Sequence, residues 1–236
     1  MLAGNIVQVR LERKALSAAV SPTCCSGREQ RSKTALRVAP FPSMKLKLRK
    51  ELRARRRSFA PAEHARRSNL AASAVAHMPQ FKAGSRIAVY LPFDREAGTA
   101  DLLLAARRRG IRVFVPVVTD MRHRRIDFYP LTGRTRRGAF GISVPHRSGR
   151  PTPARWFDLI VVPLVGIDGR GRRLGMGGGF YDRALAFRRV RTVWRGPRLV
   201  GLAFDCQRVQ AEFADAWDVR LDALATESGL EYFPRE

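Results

Sequence analysis

At 236 residues, with 45% hydrophobic content, the chain is long enough for one sizeable α/β domain and short for two. No apolar run reaches the ~18–20 residues of a membrane span. Three cysteines (Cys24, Cys25, Cys206) without a C-x-x-C spacing and four scattered histidines argue against a structural zinc site or a disulfide framework, and a reduced cytoplasmic setting fits best.

The formal charge of +25 invites a nucleic-acid reading. It comes almost wholly from arginine, since only six residues are lysine. The runs Arg53 to Arg57, Arg107 to Arg109 and Arg122 to Arg125 lie in different elements and are not interleaved with stacking aromatics, which argues against a nucleic-acid partner. A basic surface also steers polyanionic small substrates.

Residues 1 to 43 look foreign to the rest: basic, with serine, proline and adjacent cysteines and no sustained periodicity. They are expected to be a disordered extension, either a presequence or a stretch upstream of a true initiator at Met44. Residues 44 to 236 are expected to form a single domain. From Met44 helix formers dominate, with Leu46, Leu48 and Leu52 opening an apolar pattern. Ser58-Phe-Ala-Pro-Ala-Glu63 marks a break, and a second helix over 61–77 completes a helical hairpin.

Alternation follows. Strands are expected at 86–91, 111–117, 126–129, 159–165 and 199–204, with a helix over 99–109 ended by Gly110 and another from about Phe180 to Arg189. This order implies an open, mostly parallel α/β sheet with helices on both faces, whose ligands gather at the C-terminal ends of the strands.

The densest signal is Arg173-Leu-Gly-Met-Gly-Gly-Gly-Phe-Tyr-Asp182-Arg183, placed between an apolar strand and a helix. Glycines at 175, 177, 178 and 179 allow bare backbone N–H groups to approach phosphate oxygens, where a Cβ would intrude. Asp182 stands where a carboxylate would hold the magnesium that accompanies a nucleotide. The string is neither a Walker loop, lacking G-K-[ST], nor a Rossmann fingerprint, its glycines being too closely spaced. A glycine-rich loop alone is equally the mark of a tight strand–helix connection.

The complete string resembles the signature of the 5-formyltetrahydrofolate cyclo-ligase family, also called methenyltetrahydrofolate synthetases. Further segments match in the family's order, from about Lys45 to about Glu227. The resemblance implies a doubly wound fold of the sugar-isomerase and CoA-transferase kind (NagB/RpiA/CoA-transferase-like). It also implies ATP-dependent, magnesium-dependent cyclisation of 5-formyltetrahydrofolate to 5,10-methenyltetrahydrofolate. The partners implied are small molecules, ATP and a folate that is free to be polyglutamylated, acting on a cytoplasmic monomer.

By the same resemblance Lys45 and Arg49, one turn apart on the first helix, contact the nucleotide. Arg173 binds phosphate, and Leu174, Gly175, Met176, Gly177, Gly178, Gly179, Phe180 and Tyr181 form the nucleotide cradle. Met176 to Phe180 border the folate, and Glu96, three residues before Thr99, holds the pterin. Arg173 and Asp182 are the implied catalytic residues. Asp182 and Asp218 hold magnesium, with Asp222 the second choice for the latter position.

Two departures stand out. Some relatives carry a lysine where this chain has Gly178, which leaves charge neutralisation to Arg173, Lys45, Arg49 and magnesium. In Gly138-Ala-Phe-Gly-Ile-Ser-Val144-Pro145, Val144 replaces a glutamate, on an expected connecting strand. Phe93, Phe128 and Tyr129 are candidates to stack on an aryl ring, although Phe128 reads better as core. The competing readings are a paralogue that binds nucleotide and folate without this turnover, and a basic nucleic-acid-binding module.

Overall fold

A computed structural model describes residues 42–131, 135–137, 143–145, 150–189, 196–210, 213, 215 and 218–234. The extension expected over residues 1 to 43 lies outside these except for Pro42 and Ser43, which already belong to the first helix. That helix, α1 (Pro42–Arg57), and the next, α2 (Pro61–Ala76), make the expected hairpin. Pro61 sits in the first turn, where a missing N–H costs nothing. Ser58 does not cap α2; its hydroxyl donates back to the Arg55 carbonyl at 2.8 Å and closes α1.

The sheet elements follow as β1 (Arg86–Ala88), α3 (Ala100–Arg108), β2 (Arg112–Asp120), β3 (Arg125–Pro130), β4 (Thr135–Arg137), β5 (Ser143–Pro145) and β6 (Leu159–Pro163). Then come β7 (Gly166–Asp168), β8 (Arg173–Leu174), α4 (Phe180–Ala184), β9 (Arg198–Leu202), β10 (Arg208–Val209), β11 (Ala223–Thr226) and β12 (Gly229–Tyr232). The main sheet runs β12-β11-β9-β6-β1-β2-β3. Its five inner strands are parallel, and β3 and β12 pair antiparallel at the edges. The open, mostly parallel α/β sheet is therefore as expected, with β12 an additional edge.

Alternation along the inner strands builds two cores. Ile87, Leu159, Val161 and Val200 face α2 and α3, against Ala71, Val75, Leu102 and Ala106. Ala88, Ile160, Val162, Leu199 and Leu224 face the other way, against Phe128, Phe157, Leu185 and Leu221. Both faces are buried, as parallel sheets require. The second face is covered more thinly, by α4 and irregular segments.

Two local expectations change. The glycine string is not entered from β6. A hairpin, β7–β8, intervenes, because the Asp168 carboxylate accepts the Arg170 and Arg172 amides at 2.9 and 2.8 Å and closes a tight turn. The helix after the string also stops early, giving way to a 3-10 turn at Ala186–Arg189. Its N-cap Gly179 has no side chain to cap the first amides, and Leu185 leaves the helix to fill the core. Of the Gly138–Pro145 stretch, 138–142 lie outside the described residues; Val144 lies on β5, opposite Arg136 of β4.

Leu52 anchors α1: it is 1% exposed and joins Val165, Leu174 and Phe213, with Leu48 alongside. Leu52→Ala is expected to destabilise the fold by about 2–5 kcal/mol, measured by chemical unfolding. Since Leu52 is the only fully buried apolar side chain described on α1, a loss well below that range would mean that packing contributes little to holding the helix.

Candidate active site

The Gly175–Gly179 loop leaves β8 and turns into α4. Gly177 and Gly179 take φ of +97° and +66°, the left-handed region that a side chain resists. A Cβ at Gly178 would lie 2.7 Å from the Phe180 ring. The loop is bracketed by arginines. Arg49 of α1 donates from Nε to the Gly175 carbonyl at 2.9 Å, and its guanidinium would lie 3.6 Å from a Cβ at Gly177. Arg124, from the β2–β3 turn, stands 3.8 Å from the same atom built on Gly179.

Arg173 lies beneath this loop. Its side chain is 5% exposed and its Nη2 donates to Asp182 Oδ1 at 2.7 Å. Its Nε has no hydrogen-bond partner among the described residues. The Tyr181 ring lies 5.6 Å from the guanidinium carbon. Leu174, by contrast, buries its side chain under α1, which leaves only its backbone for a ligand.

Asp182 also accepts the Val219 amide at 3.3 Å, so the C-terminal segment lies against the glycine loop. Asp218 is next to it in the electrostatic sense. Burial raises the Asp218 pKa, with the Asp182 and Asp215 charges adding to it, against the Asp215 amide and Lys45. Lys45 Nζ sits 2.5 Å from Asp215 Oδ2. Lys45 and Arg49 thus reach the same region but hold different partners. No described cluster of three or more His, Cys, Asp or Glu could hold a metal alone. Two carboxylates beside a bare glycine loop are a donor set that suits magnesium, which keeps waters and substrate oxygens in its shell.

Asp222 is not part of this arrangement. Its carboxylate is 5% exposed, takes a two-pronged hydrogen bond from Arg188 at 2.9 Å and accepts the Leu199 amide at 2.8 Å. It ties β9 to the C-terminal segment, which removes it as the second choice beside Asp218.

Glu96 lies in the loop leaving β1. It accepts the Phe93 amide at 3.1 Å, and Tyr181, Tyr90 and Arg56 all feel its charge. Tyr181, two residues after Gly179, therefore lies within electrostatic reach of the β1 loop. Burial pushes the Glu96 carboxyl up to about 6, against the Phe93 amide and Arg56, which favour ionisation. Phe93 and Met176 are exposed (43% and 47%), whereas Phe128 and Tyr129 are buried.

Sequence reasoning missed what holds that loop. Asp94 and Arg95 are non-glycine residues at φ +52° and +61°. Three arginines of α1 converge on Asp94: Arg53 Nη2 at 2.7 Å from Oδ2, Arg57 Nε at 2.7 Å from Oδ1, and Arg56 Nη2 at 2.7 Å from the carbonyl. Burial alone would raise the Asp94 pKa, but the Arg57 and Arg53 hydrogen bonds outweigh it and hold it below the ordinary range. Arg56 is itself 1% exposed, and burial lowers its pKa despite Glu96 and Asp94. On α2, His64 Nε2 lies 3.2 Å from the Arg95 carbonyl, and the Ser68 hydroxyl accepts the Gly98 amide at 2.9 Å. The only sequence signal was the arginine run itself, at i, i+3 and i+4.

The fold and this site define an α/β protein with an arginine-bracketed glycine loop. The profile of the 5-formyltetrahydrofolate cyclo-ligase family matches residues 42–227, and the chain belongs to that family. The Escherichia coli (strain K12) 5-formyltetrahydrofolate cyclo-ligase is 33% identical over 181 residues, covering 75% of this chain and 97% of its own. The Mus musculus 5-formyltetrahydrofolate cyclo-ligase is 28% identical over 193 residues, 78% of this chain and 94% of its own. The NMR structure of the Aquifex aeolicus 5,10-methenyltetrahydrofolate synthetase superposes with a TM-score of 0.69 at 30% identity, covering 82% of this chain and 94% of that one.

A carboxyl raised from 4.5 to about 6 by folding favours its protonated form in the folded state. The stability it withholds is absent below the unfolded value and grows as pH rises through about 6. Glu96→Gln should therefore raise stability at pH 7.5 by about 1–2 kcal/mol, with the difference vanishing near pH 4. Urea unfolding at both pH values checks this; an equal effect at both would mean that the gain is not electrostatic.

Proposed function

We propose that the chain catalyses ATP- and magnesium-dependent cyclisation of 5-formyltetrahydrofolate to 5,10-methenyltetrahydrofolate, as a cytoplasmic monomer. The observation that carries this reading is the junction at Tyr181. Its ring lies 5.6 Å from the Arg173 guanidinium carbon and follows the bare glycine loop that Arg49 holds, and it feels the charge of the half-buried Glu96 carboxylate. A polyphosphate and an aminopyrimidinone ring are the two ligand chemistries these groups suit.

The chemistry needs little from nucleophilic side chains. The formyl oxygen is a poor leaving group as hydroxide. Transfer of the γ-phosphoryl group to that oxygen, with ADP leaving, gives an imidate phosphate. The N10 amine then attacks the formyl carbon, loses its proton, and phosphate departs. Positioning N10 beside the carbon favours ring closure, and the phosphoryl step asks mostly for charge neutralisation.

Arg173 and Arg49 would bind phosphate oxygens. Lys45 stands one turn from Arg49 for the same charge, after exchanging its Asp215 partner. Gly175 and Gly177 to Gly179 would offer amides, and Phe180 and Tyr181 would close the cradle. Glu96 would accept hydrogen bonds from the pterin edge, with Phe93 and Met176 offering apolar contact. Asp182 and Asp218 would hold magnesium. When bound, that ion would neutralise charge developing on the phosphates.

Purified protein given 5-formyltetrahydrofolate, ATP and magnesium should develop the methenyl absorbance, and only with all three present. Asp182→Asn keeps an oxygen for Arg173 and Val219 but loses the charge. Turnover should fall by about 100-fold or more, with thermal stability near wild type; near-normal turnover would remove the metal assignment. Folate affinity should weaken as pH falls through about 6, where Glu96 gains a proton, and should be pH-independent in Glu96→Gln. A wild-type affinity that is flat from pH 7.5 to 5 would refute the role of Glu96.

A further inference from the structure

α1 touches both halves of the site. Its first turns carry Lys45 and Arg49, and its C-terminal half carries Arg53, Arg56 and Arg57. The first pair reaches Asp215 and the glycine loop; the second group grips Asp94, two residues before Glu96. Resting on the function proposed above, we infer that Asp94 is a positioning residue that links nucleotide binding to folate binding through α1.

The physical case begins with the backbone. Asp94 and Arg95 stand in the left-handed region, where an L-residue costs on the order of 1–2 kcal/mol. Such a conformation persists only where its surroundings hold it. Here the holding contacts come from the helical hairpin. Asp94 takes the three α1 arginines; the Arg95 carbonyl lies against His64, and the Arg95 guanidinium donates to the Phe59 carbonyl. Released from α1, the loop would relax toward ordinary φ values and carry Glu96 with it.

Packing holds the helix at one point. Leu52 is its only fully buried apolar side chain among the described residues, so away from Leu52 the seat of the helix depends on its cations. A polyphosphate that draws Arg49 and Lys45 therefore fixes α1, and a fixed α1 keeps Asp94 and Glu96 in the binding geometry. Linkage is reciprocal: whatever factor nucleotide adds to folate affinity, folate adds to nucleotide affinity. Arg56 reinforces the connection, since its buried guanidinium bonds the Asp94 carbonyl and faces the Glu96 charge.

The test is calorimetric titration of 5-formyltetrahydrofolate with and without a saturating non-hydrolysable ATP analogue and magnesium. Wild type should bind folate at least about 5-fold more tightly with the analogue. In Asp94→Asn the ratio should fall to about 1, with analogue affinity in the absence of folate close to wild type. A structural role alone would weaken both ligands or the fold and leave the ratio standing. Should Asp94→Asn fail to fold, Arg53→Ala with Arg57→Ala removes two more exposed partners and should reduce the ratio likewise. A wild-type ratio retained in these variants, or no ratio in wild type, would overturn the inference while leaving the proposed reaction intact. No folate binding by wild type would overturn both.

Discussion

The site depends on how a basic helix with almost no apolar face is kept in place. Half of the sixteen residues of α1 are cations, and among its described side chains only Leu52 and Arg56 are fully buried. Hydrophobic burial, the usual source of helix docking, is thin here. Oxygen acceptors take its place: Asp215, the Gly175 carbonyl and Asp94. Each acceptor belongs to a different segment, after β1, after β8 and between β10 and β11, so one helix brings those segments together. A high positive charge, which disfavours compaction when unpaired, here becomes the agent that organises the cleft.

The two halves of the site are stabilised by different means. The glycine loop is built from absence: Gly177 and Gly179 are in left-handed conformations, its glycines bring no side chain over the backbone, and arginines stand on either side. The β1 loop is built from constraint. Glu96 is held in a setting that disfavours its charge, on a loop whose left-handed residues relax unless α1 and α2 hold them. Energy withheld from folding at such positions is available to a ligand that supplies the missing partners.

Much of this was legible in the residues. The elements from β1 to β3 and β6, β9 and the α1–α2 break follow from periodicity and from Pro61. The family resemblance singled out Arg49, Arg173 and Asp182, and the structure sets these three at the two ends of the glycine loop. What escaped is instructive. The β7–β8 hairpin depends on a side-chain-to-backbone turn at Asp168, which leaves no hydrophobic period to read. The run from Arg53 to Arg57 has the composition of a solvated face, and a run of like charges does not state which carboxylate it will meet. Asp94 lies 37 to 41 residues away from those arginines.

The sequence by itself determined the class of sheet, the glycine loop and the identity of the charged groups, because these are local: period, φ tolerance and residue type. Tertiary structure decided which charges are ligands in waiting and which are already spent. Asp218 and Asp222 lie four residues apart in the same short segment. Only the packing of β9 and Arg188 against Asp222 makes it a structural anchor, while Asp218 is left beside Asp182. Charge pairing acts through space over a few ångströms, and chain order does not record it.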